Sequence, residues 1–223
     1  TGANNTGIGF YALNANTTAA NNTAVGYDSL KANTTGTENT AVGNNAGAAI
    51  TTGREDTIIG SLAGKSLTDA DYNTAIGYRA LEADTLGSKS TAVGRGALLT
   101  QNFTSATDAL NTAVGFNAGV LITTGVQNTL IGGLAGDAIT TGGSNIALGY
   151  LALSANTTAS YNVGIGASAL LVNTTGASNV GIGNGALGAN TTASNNSAVG
   201  MDALGANTTG TRNTAVGSLA LDA

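Results

Sequence analysis

The chain has 223 residues, a net charge of −5, 34 Gly, 9% charged and 4% aromatic residues, and no Pro, Cys, His or Trp. That composition excludes disulfide frameworks, thiolate or imidazole metal centres and nucleophilic triads built on His or Cys. Seven Lys and Arg in an acidic chain cannot neutralise many phosphates, so nucleic acid is not an expected partner, and no apolar run reaches the ~18 residues of a membrane span.

Taken in order, Thr1 to Asn4 read as the end of a rung, and a full rung then begins at Asn5. Further rungs begin at Asn22, Asn39, Asp56, Asn73, Ser90, Asn111, Asn128, Asn145, Asn162, Asn179 and Asn196, with a partial one at Asn213. Every step is 17 residues except the sixth, which is 21. A fixed short period marks a solenoid, each rung being one unit that buries its apolar face against its neighbours. Both ends fall in mid-repeat without the polar caps that solenoids carry. The whole chain, 1–223, is therefore expected to be a single repeat array cut from a longer fibre.

Within a rung such as NTAVGYDSLKANTTGTE (22–38), position 4 is Val, Ile or Leu and position 5 is always Gly. The β-branched stretch before that Gly predicts a strand of four or five residues, with the position 4 aliphatic in the core. Gly then supplies a corner needing positive φ or close backbone approach. Position 8 is Ala in twelve rungs and Ser29 in the other, which implies a tight interior or chain-to-chain contact. Position 9 is Leu in nine rungs and Gly in four (Gly47, Gly64, Gly119, Gly136), and in those four position 12 changes from its usual Asn to Ile50, Leu67, Ile122 or Ile139. The two positions are expected to fill one volume, because close-packed interiors tolerate volume-conserving exchanges better than voids. The Asn-Thr-Thr-Gly segment that follows has the composition of a turn. The fold class is thus all-β, a parallel β-solenoid of thirteen 17-residue rungs. So little bulky apolar mass per rung favours a homo-oligomer.

The motifs NTAVGYDSL, NTAIGYRAL and NTAVGFNAG, recurring through residues 5–223, resemble the head repeats of trimeric autotransporter adhesins (the YadA-like head). They resemble still more closely the NTAVGYxAL…NTTG repeats of bacteriophage tail-fibre proteins. The resemblance implies a left-handed β-roll, a homotrimer about a fibre axis, an extracellular place on a virion tail fibre or bacterial surface, and a cell-surface glycan or protein receptor. It implies a structural segment of an attachment fibre, a rigid spacer with receptor contact, and not an enzyme. The adhesin heads use a shorter rung, which puts the extra residues here in the turn. Rival readings are a surface- or glycan-binding solenoid, ice binding included, and a polysaccharide depolymerase.

No catalytic, cofactor or metal residues are expected. Glu38 and Glu55 share a position on adjacent rungs beside Arg54 and Asp56, which suggests a solvated acidic face, or a cation or hydrolytic site. The insertion lies within 101–110, QNFTSATDAL, and solenoids place insertions as loops on one face, often the binding one. The candidate receptor patch is therefore Tyr72, Asp84, Lys89, Gln101, Phe103 and Asp108, with Phe103 and Tyr72 as sugar-stacking groups. Aromatics after the invariant Gly (Phe10, Tyr27, Tyr78, Phe116, Tyr150) are expected to pack between chains. The Asn-Thr-Thr runs match a glycosylation sequon but are accounted for by the repeat.

Overall fold

The computed structural model describes residues 2–222. It is a parallel β-solenoid with no helix among the described residues, and its strands fall into two compact units, Thr1–Asn111 and Thr112–Ala223. The first unit holds β1 (Thr6–Ile8), β2 (Thr23–Val25), β3 (Thr40–Val42), β4 (Thr57–Ile59), β5 (Thr74–Ile76), β6 (Gly87–Ser88), β7 (Thr91–Val93) and β8 (Thr107–Asp108). Strands β1 to β5 and β7 form one in-register parallel ladder, and β6 pairs with β8 beside the insertion. The second unit holds β9 (Thr112–Val114), β10 (Thr129–Ile131), β11 (Ile146–Leu148), β12 (Val163–Ile165), β13 (Val180–Ile182), β14 (Ser197–Val199) and β15 (Thr214–Val216), again parallel and in register.

The main strands are three residues long, shorter than the sequence suggests, because the Gly corner follows at once. At position 5 every Gly has φ between 125° and 142°, a region closed to residues with a Cβ. A Cβ on Gly43 would also stand 2.5 Å from the Gly60 carbonyl oxygen. The corner therefore needs Gly twice over, for its φ and for the close approach of the next rung.

The position 4 aliphatics do not form the core. Side chains alternate along a strand, and it is position 3 that points inward: Ala24, Ala41, Ile58, Ala75 and Ala92 in the first unit, and Ala113, Leu130, Ala147 and Ala198 in the second, are buried. Position 4 therefore faces outward, half-buried or exposed, as at Ile59, Ile131 and Leu148. The interior is narrow and takes Ala or Gly at position 3 in most rungs, with Ile58 and Leu130 there in rungs whose position 9 is Gly64 or Gly136. Position 8 is interior in both units, and Ser29 is accommodated there because its hydroxyl donates to the Ala41 carbonyl at 2.9 Å.

The Leu and Gly exchange behaves as a shared volume. A Cβ on Gly47 would meet Ile50 Cδ1 at 2.9 Å, and one on Gly64 would meet Leu67 Cδ1 at the same distance. Position 9 is also left-handed, with φ 47° at Leu30 and 54° at Leu153, a conformation that costs an L-residue on the order of 1 kcal/mol. Gly removes that strain and loses volume; Ile or Leu three residues on restores the volume. Leu30→Gly alone should destabilise by roughly 3–5 kcal/mol. Adding Asn33→Ile should recover most of the loss, as read by urea denaturation of both variants.

Candidate functional site

Position 1 holds the organising polar group of the interior. In the first unit Asn22, Asn39, Asp56, Asn73, Ser90 and Asn111 are buried, and so in the second are Asn128, Asn145, Asn162, Asn179 and Asn196. The Asn Oδ1 accepts the backbone N–H of the residue one rung on: Asn22 from Asn39 at 2.9 Å, Asn39 from Asp56 at 3.0 Å, Asn145 from Asn162 and Asn162 from Asn179 at 3.0 Å. Each Nδ2 donates to the position 15 carbonyl of its own rung, as from Asn39 to Gly53 at 2.7 Å and from Asn162 to Gly176 at 2.9 Å. The amide thus satisfies one backbone donor and one backbone acceptor that the corners turn inward, groups too costly to bury unpaired.

Position 12 is interior as well. Asn33, Asn156, Asn173 and Asn190 are buried and donate to the position 15 carbonyl three residues on. These are the Asn of the sequon-like runs, so in the folded chain those four amides are closed to glycosylation. The position 13 hydroxyls are likewise spent, since Thr34, Thr51 and Thr68 donate to the carbonyl of the next rung at 3.0–3.2 Å. The position 14 threonines beside them, such as Thr35, Thr158 and Thr175, are exposed.

The predicted receptor patch separates into two sets. Tyr72, Lys89 and Asp108 are on the outside: Tyr72 and Lys89 occupy position 17 of successive rungs, and Lys89 Nζ reaches Asp108 Oδ2 at 2.5 Å. That hydrogen bond holds the Lys89 ammonium above its ordinary pKa. Asp84 and Gln101 are fully buried, and Phe103 is only 6% exposed, so these three are interior and unavailable as surface contacts. Asp84 and Gln101 both stand at the inward position 12. The Asp84 carboxylate accepts Gly87 N at 3.0 Å and Phe103 N at 3.2 Å through Oδ1, and Gln101 Nε2 at 2.6 Å through Oδ2. Gln101 passes the network on, with Nε2 also donating to Ser90 Oγ at 3.1 Å and Oε1 accepting Asn111 Nδ2 at 2.8 Å. The Phe103 ring packs over Gly87, where a Cβ would stand 2.7 Å away. The insertion is a plugged and anchored bulge, with an aromatic ring turned inward.

Glu38 and Glu55 are both exposed, and Arg54 pairs instead with Asp71 at 3.5 Å. Glu55 and Asp56 point to opposite sides of the backbone, one to solvent and one into the core, so they do not form a hydrolytic pair. A shallow groove of about 330 Å³ beside them is lined by Thr35, Thr37, Thr52, Arg54, Asp69 and Asp71. Its polar groups engage one another, Thr52 Oγ1 donating to Asp69 at 2.5 Å. Among the described residues no three acidic groups are placed to hold a metal ion, and no helix is long and apolar enough to cross a membrane. The aromatics Phe10, Tyr27, Tyr78 and Tyr150 are exposed, and Phe10 stacks on Tyr27 with centroids 5.7 Å apart.

Comparison of the chain with known protein families, curated proteins and solved structures finds no match.

The interior amide ladder was open to discovery in the sequence. A position confined to Asn, Asp and Ser in every rung is more restricted than a solvent-facing turn requires, and that restriction signals paired burial. Asp84→Ala should orphan three buried donors and destabilise the first unit by on the order of 3 kcal/mol. Limited proteolysis should then cut within 102–106 well before it cuts the parent chain.

Proposed function

We propose that this chain is a structural segment of an extracellular fibrous attachment protein, a phage tail fibre or bacterial surface adhesin, working as a rigid spacer in a homotrimer. The observation that carries the reading is the outward face of the ladder. In the first unit Ile8, Val25, Val42, Ile59, Ile76 and Val93 stand in one uncharged row, and in the second Val114, Ile131, Leu148, Ile165, Ile182, Val199 and Val216 do the same. Many members of these rows are 36–74% exposed, and continuous apolar surface of that kind is characteristic of faces covered by a partner. A second copy has the same rung spacing by construction, so its row can meet this one in register. The repeat motifs resembling tail-fibre and adhesin heads point the same way, and the interior, filled by backbone-satisfying amides, supports a scaffold in preference to a catalyst. Receptor contact belongs to variable outward residues, of which Tyr72, Lys89 and Asp108 are candidates.

Light scattering should give three times the 21.5 kDa chain mass, and Ile165→Glu with Ile182→Glu should reduce it to one chain with the β circular dichroism retained. A parent chain that is monomeric at every concentration would overturn the trimer.

A further inference from the structure

The ladder has one acidic member. Asp56 is fully buried between the uncharged amides of Asn39 and Asn73. Its Oδ1 does what every ladder Oδ1 does, accepting the Asn73 N–H at 2.8 Å. Its Oδ2 stands where the other rungs carry an amide Nδ2 and has no hydrogen-bond partner. By the repeat, the group facing that atom is the Ala70 carbonyl, the counterpart of Gly53 for Asn39 and Gly87 for Asn73. A carboxylate oxygen and a carbonyl oxygen are both acceptors, so the contact closes only with a hydrogen between them.

We propose that Asp56 stands in the folded ladder as a neutral carboxylic acid whose Oδ2–H donates to the Ala70 carbonyl, making the fourth rung a proton-held link that alkali weakens. Burial pushes this carboxyl up to about 8, against the opposing hydrogen bonds from Asn73, and the negative charge of Asp71 adds to the rise. The charged residues preceding it, Arg54 and Glu55, are exposed, and Arg54 is engaged with Asp71. The sign follows. The folded chain keeps the proton up to about pH 8, whereas the unfolded chain releases it near the ordinary Asp value of about 4. Unfolding therefore releases a proton across that window, and stability falls as pH rises through it. The stabilisation is complete below the unfolded value and gone above the folded one.

The test is infrared spectroscopy of the full chain with urea titrations from pH 5 to 9, for the parent and for Asp56→Asn. The parent should show a protonated-carboxyl stretch at pH 7 that disappears above about pH 8 and is missing from the variant. The unfolding constant of the parent should rise about tenfold per pH unit relative to that of Asp56→Asn, and the variant should be the more stable protein at pH 8. A parent with no protonated-carboxyl signal at pH 7, or one whose signal survives in Asp56→Asn, would overturn the proposal. Parallel pH dependence of the two proteins would overturn it as well.

Discussion

The fold depends on how a chain that turns several corners every 17 residues disposes of its inward backbone groups. A rung with so small a cross-section cannot surround those N–H and C=O groups with water. Nor can it leave them unpaired without losing more than its few aliphatic side chains return. The position 1 Asn resolves this by offering an acceptor to the next rung and a donor to its own, as Asn162 does toward Asn179 and Gly176. Because the bond to the next rung joins like positions, it also sets the register. A slip of one residue would break every amide link in the unit together with the Gly corners.

Other features follow from that narrowness. Position 8 is small, and position 3 is small except at Ile58 and Leu130, because the amides occupy the space, and position 9 accepts a left-handed Leu because a corner there brings an apolar group over the ladder. Where Gly takes over at position 9, as at Gly47 and Gly64, the aliphatic group arrives from Ile50 or Leu67 instead. The interior is thus conservative in chemistry while the outward positions vary. The repeat can carry different surfaces, a charged one around Arg54 and Asp71 or an aliphatic one at Ile146 and Leu148, on the same backbone.

Much of this was legible in the residues. The period gave the solenoid, the invariant Gly gave the corner, and the paired exchange of Leu for Gly and Asn for Ile exposed one shared volume. The direction of the strand was not legible. In a segment as short as Thr23–Val25, alternation shows that Ala24 opposes Thr23 and Val25 but not which of them faces in, and hydrophobicity alone favours Val. The insertion misled for a related reason. Polar residues such as Asp84 and Gln101 read as surface until their partners are seen, and the pairing of Asp84 with Gly87 and Phe103 spans 19 residues. Only Tyr72, Lys89 and Asp108 of the predicted patch are on the outside.

Amide hydrogen exchange at the ladder residues tests the central claim most directly. If the buried Asn amides hold the rungs together, the backbone N–H groups of Asn39, Asn162 and Asn179 exchange only when a whole unit unfolds, as slowly as the neighbouring strand amides of Thr40 and Val163. Exchange at those three Asn as fast as in the exposed loop at Ser105, with the strand amides still protected, would contradict the account and assign the ladder a passive role.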